Sequence, residues 1–189
     1  MKNPSYDCCP ICESKATVRT IRRYHYTQSG LNTVYLMDSV MQIHCPLHGK
    51  LIHIPGEQQV LQVLALVLLA KPSLLLPEEL LYLRKSCGLT QSVMAKLLGL
   101  RGHATVAERE SGKSKVTVES DFFFRAKVAR QLWDWHMHNP TESFLAPIHV
   151  DRLRKQLERF TDLVMQPRPK KRLDVNLVLD HEAWQSQAA

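Results

Sequence analysis

The stretch Leu76–Gly112, LPEELLYLRKSCGLTQSVMAKLLGLRGHATVAERESG, decides how the middle of this chain folds. Apolar residues recur at helical spacing on both sides of Gly88, a residue that suits the left-handed turn at the end of a helix. Thr90 is a good N-cap for a second helix, and Gly99 closes that helix. A third, polar-rich helix begins at about residue 102 or 103. The stretch therefore predicts three short helices joined by tight turns.

The sequence of these helices resembles a DNA-binding family. LRKSCGLTQSVMAKLLGL followed by TVAERESGK is similar to the XRE (Cro-type) helix-turn-helix family, whose usual pattern is LR-xxx-GLTQ-xx-LA-xx-LG, then TV-xx-WE-x-GK. The chain departs from this pattern by one residue inserted between Gly99 and Thr105. It also has Glu108 and Arg109 where the family usually has a polar reading residue and then an aromatic one. The resemblance implies a helix-turn-helix domain in residues 76–139.

The resemblance also implies how such a domain would contact DNA. Its second helix would rest across the backbone with Gln91 bonding a phosphate, and its third helix would enter the major groove. Arginine suits guanine O6 and N7, and the threonine methyl group suits that of thymine. Exposed lysines are as typical of a solubilising surface, and a lone helical histidine is as typical of a solvated or capping residue. The candidate DNA-binding residues are Gln91, Arg101, His103, Thr105, Arg109, Lys113 and Lys115.

Two pairs of metal-type ligands precede these helices. CPIC at 9–12 and CPLH at 45–48 each place two ligands on one tight turn, so both pairs can reach one tetrahedral ion. Zinc is the expected metal, and four protein ligands predict a structural site because no position stays open for water. Cys8 or His44 could replace a neighbouring ligand, and a set of buried free thiols is the simpler alternative. The predicted ligands are Cys9, Cys12, Cys45 and His48.

The segments around these ligands alternate apolar and polar residues. They predict strands at 16–26 and 31–43 and a short strand at 51–54, and thus a zinc ribbon in residues 1–56. A ribbon ahead of an XRE-like domain is similar to the MqsA (YgiT-type) antitoxins and to stand-alone regulators of the same layout. That resemblance implies a ribbon that binds a protein partner or a second subunit. His48, in place of the usual last cysteine, and the additional Cys8 depart from it.

Two further helices are expected before the C-terminal part of the chain. Residues 57–75 contain a connecting helix that is apolar around almost its whole circumference, so the helix-turn-helix or a second subunit must cover it. A long helix from residue 118 to 137 follows the helix-turn-helix. Its side chains expected to pack on the bundle are Phe122, Phe123, Val128, Leu132 and Trp135.

The last part of the chain, residues 140–189, is predicted to be an extension. Three-four spacing over 150–164 predicts an amphipathic helix, residues 166–172 form a basic linker, and alternation over 173–179 predicts a strand. The helix is one candidate for a homodimer contact, because helix-turn-helix proteins commonly bind two-fold DNA sites as dimers. The predicted fold class is therefore α+β: an N-terminal β zinc ribbon, an all-α helix-turn-helix bundle and a C-terminal helix and strand.

Composition narrows the compartment and the class of partner. The formal net charge of +7 favours polyanionic partners such as nucleic acid, and 44% hydrophobic residues are typical of a globular protein. The first residues lack a signal peptide, and the apolar run 60–70 is far shorter than the ~20 residues that cross a bilayer. Five cysteines in metal-type spacing fit a reducing compartment. A cytoplasmic location away from membranes is expected.

These observations predict a sequence-specific transcriptional regulator that binds double-stranded DNA and contains structural zinc. A homodimer is expected, and a toxin or the transcription machinery is a candidate protein partner. One alternative is an antitoxin that binds its toxin and represses its own operon. Another is an architectural or accessory DNA-binding protein of a mobile element. The chain has no HExxH pair, nucleophile elbow or phosphate loop, so enzymatic activity is not expected.

Overall fold

The computed structural model describes residues 8–139, 147–161, 174–180 and 183–186. The basic linker predicted at 166–172 lies outside these residues. Within them the chain has five strands and six α-helices, which confirms the α+β class. The elements are β1 Thr17–His25, β2 Val34–Cys45, β3 Gly49–His53, α1 Glu57–Ala70, α2 Pro77–Ser86, α3 Gln91–Leu97, α4 Ala104–Glu110, α5 Val118–His138, α6 Pro147–Thr161, β4 Val175–Asp180 and β5 Ala183–Ser186. None of these helices has the length and apolar content needed to cross a bilayer.

One sheet contains strands from both ends of the chain, with β2 as its central strand. β1 pairs antiparallel along one edge of β2. The other edge is shared, because β3 pairs antiparallel with residues 41–45 and β4 pairs parallel with residues 34–37. β5 then pairs antiparallel with β4. The C-terminal segment that the sequence describes as an extension therefore completes the sheet formed by the N-terminal strands.

A bulge in β2 marks the point where its second partner changes. The register shifts between Ile21 and Arg23 of β1, and opposite this shift Asp38 has a left-handed backbone with φ of 51°. The hydroxyl of the next residue, Ser39, accepts the N–H of Leu179 on β4 at 3.3 Å. A bulge bends the strand and increases its twist. The half of β2 that pairs with β4 is thus set apart from the half that pairs with β3.

Helix α1 is an internal helix of the core, with Val60, Leu64 and Ala65 fully buried. It packs against α2, α6, β4 and β5, so the cover that its apolar circumference requires comes from within the chain. Trp184 of β5 closes one end: its indole N–H donates to the carbonyl oxygen of Pro55 at 2.7 Å. The last residues of the described chain thus fold over the start of α1.

Helix α5 has the predicted position but a different buried face. Phe122 and Val128 are buried as expected. Phe123 and Trp135 remain 49% and 42% exposed, so the prediction that they pack in the core is wrong. The buried stripe instead passes through Phe124 and through a buried ion pair on the same helix, formed by Asp121 and Arg125. Aromatic content alone did not indicate which side of the helix faces inward.

Candidate metal centre and nucleic-acid interface

Two similar turns carry the metal-type ligands. In each turn the first cysteine sulfur accepts the backbone N–H of the residue two positions later: Ile11 to Cys9 at 3.5 Å and Leu47 to Cys45 at 3.4 Å. The second turn joins β2 to β3, and Gly49 closes it with φ of 70°. Each turn therefore holds its two ligands close together and fixes their sulfur atoms through the backbone.

The four predicted ligands converge on one point. The Nδ1 atom of His48 lies 3.6 Å from the sulfur atoms of both Cys9 and Cys45, and the sulfur of Cys12 lies 3.7 Å from that of Cys45. All four ligand atoms lie within 4.8 Å of one another. Tetrahedral bonds of about 2.3 Å to sulfur and 2.0 Å to nitrogen give edges of about 3.5–3.8 Å. The cluster therefore fits a metal ion such as zinc.

The structure separates the cluster from the two alternative ligands. Cys8 and His44 are both exposed and lie outside the group of convergent ligand atoms. His44 precedes Cys45 on β2, and successive side chains of a strand point to opposite faces. The predicted set of Cys9, Cys12, Cys45 and His48 is thus the one that the fold brings together.

Local hydrogen bonds favour the thiolate form at part of this cluster. Burial raises the pKa of Cys45, but the backbone amides of His48 and Leu47 and the His48 ring outweigh it and bring that pKa to about 6. The hydroxyl of Ser14, with Oγ 2.8 Å from the sulfur of Cys12, lowers the pKa of Cys12. Metal ligation requires deprotonated cysteine. Ser14, which the sequence analysis did not single out, therefore supports the donor chemistry.

The helices α2, α3 and α4 are joined by the predicted turns. Gly88 and Gly99 have φ of 65° and 68°, the left-handed conformation that ends a helix. The hydroxyl of Thr90 accepts the N–H of Val93 at 3.2 Å and so caps α3. Met94 of α3 and Val106 of α4 are buried between the helices. The local signals in the sequence thus correctly indicate where these helices begin and end.

The carboxylate of Glu110 ties the three helices together. It accepts from Arg84 of α2 at 2.6 and 2.9 Å and from the side-chain amide of Gln91 on α3 at 2.9 Å. Arg84 also donates to the carbonyl oxygen of Leu89 at 2.6 Å. Sequence reasoning placed Gln91 on phosphate and missed the roles of Arg84 and Glu110, although both occupy positions of the family pattern.

The remaining candidate DNA-binding residues lie around α4. Arg101 and His103 are exposed just before it, and Thr105 is half-buried in its first turn. Arg109 is also half-buried, and its Nε atom is buried without a hydrogen-bond partner among the described residues. Lys113 and Lys115 are exposed in the loop that follows. The structure therefore brings these residues to the two ends of one short helix.

Neutralising Glu110 is expected to weaken this three-helix arrangement. Glu110→Gln should lower the free energy of unfolding by about 3 kcal/mol, because the amide cannot balance the buried guanidinium of Arg84. Urea denaturation followed by circular dichroism measures it. The matched control is Asp134→Asn, which removes the carboxylate partner of exposed Arg130 and should cost under about 0.5 kcal/mol. Equal losses in the two variants would refute the proposed importance of Glu110.

No protein-family model, curated protein or solved structure matches this chain. The resemblance to the XRE and MqsA-type families therefore stays a prediction from the residues quoted above.

Proposed function

We propose that the protein is a sequence-specific DNA-binding transcriptional regulator in which α2, α3 and α4 form a helix-turn-helix and α4 reads the major groove. The observation that carries this proposal is the two-sided character of α4. Val106 and Glu110 are buried and anchor the helix to its neighbours, whereas Ala104 and Glu108 are exposed. A recognition helix needs both a fixed inner side and a free outer side.

The surface around α4 has the charge that DNA requires. Lys96 on α3, Arg101 before α4, and Lys113 and Lys115 after it are all exposed. None of the four forms an ion pair with another described residue. Their charge is thus available to neutralise phosphates, the contacts that supply most of the affinity for nucleic acid.

Glu108 is the exposed acidic residue on α4 and limits what the helix can read. A carboxylate repels phosphate, but it accepts a hydrogen bond from the exposed amino group of cytosine. Arg101 suits guanine, the partner of cytosine in a base pair. We therefore propose that the preferred site contains G·C pairs where the N-terminal half of α4 approaches the base edges.

The metal cluster supports this function indirectly. If zinc binds Cys9, Cys12, Cys45 and His48, all four positions of a tetrahedral ion are taken by protein. The ion then holds the two turns together and leaves no site for a reacting water. We assign it a structural role, with DNA contacts confined to the helical side of the molecule.

Arg101→Ala tests base reading. A preferred duplex is first selected from random sequences, and affinity for it and for an unrelated duplex is then measured by fluorescence anisotropy. Loss of one bidentate base contact is expected to cost about 1–3 kcal/mol on the preferred duplex, roughly five- to 150-fold in Kd, with little change on the other. Lys113→Gln/Lys115→Gln should instead weaken both duplexes and reduce the salt slope by about 1.8.

The charge-matched control is Lys127→Gln/Arg130→Gln, which removes two exposed positive charges from α5. This variant should leave both affinities within about twofold, because neither residue lies near α4 in the proposed complex. Equal weakening of both duplexes by Arg101→Ala would favour an architectural DNA-binding protein. Unchanged binding by Arg101→Ala and by the lysine variant would refute α4 as the contact surface.

A further inference from the structure

A cleft of about 450 Å³ lies between α1 and α6, away from α4 and from the metal-ligand cluster. Val63, Val67 and Ala70 of α1 line one wall. These residues are four and three positions apart, so they lie on one face of the helix. The cleft therefore uses part of the apolar circumference of α1 that the other elements do not fill, and its size is within the range of small-molecule sites.

The opposite wall is cationic. Arg152, Lys155 and Arg159 of α6 line it and are likewise three and four positions apart. Lys155 pairs with Asp151 at 2.8 Å, but Arg152 and Arg159 have no ion-pair partner among the described residues. Two guanidinium groups with uncompensated charge thus face an apolar surface across a small gap.

We propose that this cleft binds a small amphipathic anion, a molecule with an apolar body and one carboxylate or phosphate group. The apolar body packs on α1, and the anionic group accepts hydrogen bonds from Arg152 and Arg159. Guanidinium groups match both oxygens of a carboxylate or phosphate. This site does not depend on the DNA-binding role proposed for α4.

Other occupants fit the two walls less well. A purely apolar ligand would bury the two guanidinium groups without a partner, which is costly. A bare inorganic anion would leave the α1 wall in water. The segment that follows α6 in the sequence carries Arg168, Lys170, Lys171 and Arg172, so its charge does not complement the cationic wall. Charge and polarity together therefore select an amphipathic anion.

The proposal is tested with three ligands that share one apolar chain. Decanoate, 1-decanol and decyltrimethylammonium are titrated into the full-length protein by isothermal titration calorimetry, below the concentrations at which they form micelles. Decanoate is expected to bind saturably, 1-decanol at least about tenfold more weakly, and the cation without saturation. Equal binding of all three compounds, or no saturable binding of decanoate, would overturn the proposal.

Two variants locate the binding. Arg152→Gln/Arg159→Gln should weaken decanoate binding at least about tenfold and leave 1-decanol binding unchanged, because only the anionic contacts are removed. Ala70→Trp should weaken both ligands by filling the cleft. The control Arg130→Gln/Arg154→Gln removes two exposed arginines that each pair with a carboxylate outside the cleft, and it should change neither affinity.

A fold check and two further measurements decide between outcomes. Circular dichroism establishes that each variant is folded, and Ala70→Trp keeps the test open if the arginine variant is not. If the arginine variant loses binding to phosphatidylglycerol vesicles while free decanoate does not bind the wild type, the cleft is a membrane contact and the proposal is wrong. Loss of duplex DNA binding in this variant, without decanoate binding to the wild type, would likewise overturn it. Failure of α4 to bind DNA would leave the decanoate result unaffected.

Discussion

Replacing Arg125 with methionine is expected to lower the free energy of unfolding by about 4–5 kcal/mol, at the upper end of what breaking one buried ion pair costs. For a domain of this size that loss corresponds to a fall in Tm of about 10–20 °C. Methionine retains much of the side-chain volume, so the change isolates the polar interactions. Urea and thermal denaturation followed by circular dichroism measure the effect.

The reason lies at the C-terminal end of α1. The last carbonyl groups of a helix have no partner within it and must be satisfied from elsewhere. The fully buried guanidinium of Arg125 performs this role and also pairs with a carboxylate on its own helix. Its acceptors are the carbonyl oxygens of Leu68, Leu69, Lys71 and Ser73 and the carboxylate of Asp121. Methionine would leave these acceptors, including a buried negative charge, without this donor.

Two further substitutions separate geometry from charge. Arg125→Lys retains the positive charge but cannot reach acceptors on two sides at once, so we expect an intermediate loss of about 2–3 kcal/mol. Arg130→Met removes an exposed arginine of the same helix, paired with Asp134, and should cost about 0.5 kcal/mol or less. A loss below about 1 kcal/mol for Arg125→Met would show that the carbonyl groups find other partners.

Local sequence signals predicted the elements of this fold well. The apolar run after Pro55-Gly56 marks α1, and its bounds in the structure are Glu57–Ala70. Gly88, Thr90 and Gly99 act through backbone conformation and capping, which depend on neighbouring residues only. The metal cluster could be predicted for the same reason, because each turn positions its own two ligands and one ion then requires the turns to meet.

Pairing between distant segments could not be predicted from the same signals. Alternation over 173–179 indicated a strand, but alternation is the same for any partner and either direction. Its parallel pairing with residues 34–37 depends on how α1 and α6 return the chain to the sheet. Strand β5 is only four residues long, and its anchor Trp184 has no periodic neighbours that would have indicated it.

The buried charges were equally inaccessible to sequence reasoning. Periodicity counts apolar residues, and Lys71 and Arg125 would be assigned by type to the solvated side of a helix. In the structure both are buried, and Lys71 pairs with Glu79 at 2.6 Å. These groups satisfy backbone carbonyls where α1 ends. That demand exists only once the helices have packed, so no pattern within one segment expresses it.

Replacing a metal ligand is the second change from which we expect a large effect. Cys45→Ser should reduce bound zinc from about one ion per chain to less than about a tenth, because a serine hydroxyl is a poor substitute for thiolate. Cys45 is fully buried, and its sulfur lies close to those of Cys12 and to His48. We expect Tm to fall by about 10 °C or more, since structural zinc contributes directly to folding.

The loss should be concentrated on one side of the β2 bulge. Beyond Ser39 the strand is supported by β1 and β3 and by the two turns that carry the ligands. Val34 and Leu36, before the bulge, belong to the core around α1. Hydrogen exchange should therefore lose protection in residues 8–21 and 40–53 and keep it in α1 and α5. Loss of protection across the whole chain would show that the two halves of the sheet unfold together.

Cys8→Ser is the matched control because it removes a thiol adjacent to a ligand. Cys8 is exposed and lies outside the convergent group, so this variant should retain zinc and Tm. Metal content is measured by elemental analysis after exhaustive dialysis, and a chelator titration of the wild type should reproduce the Cys45→Ser exchange pattern. If Cys8→Ser loses as much zinc as Cys45→Ser, the ion is held by a different ligand set. Retention of zinc by Cys45→Ser would contradict the four-ligand site itself, because the sulfur of Cys45 lies near the ligand atoms of both turns and a three-ligand remainder would leave one coordination position open to water.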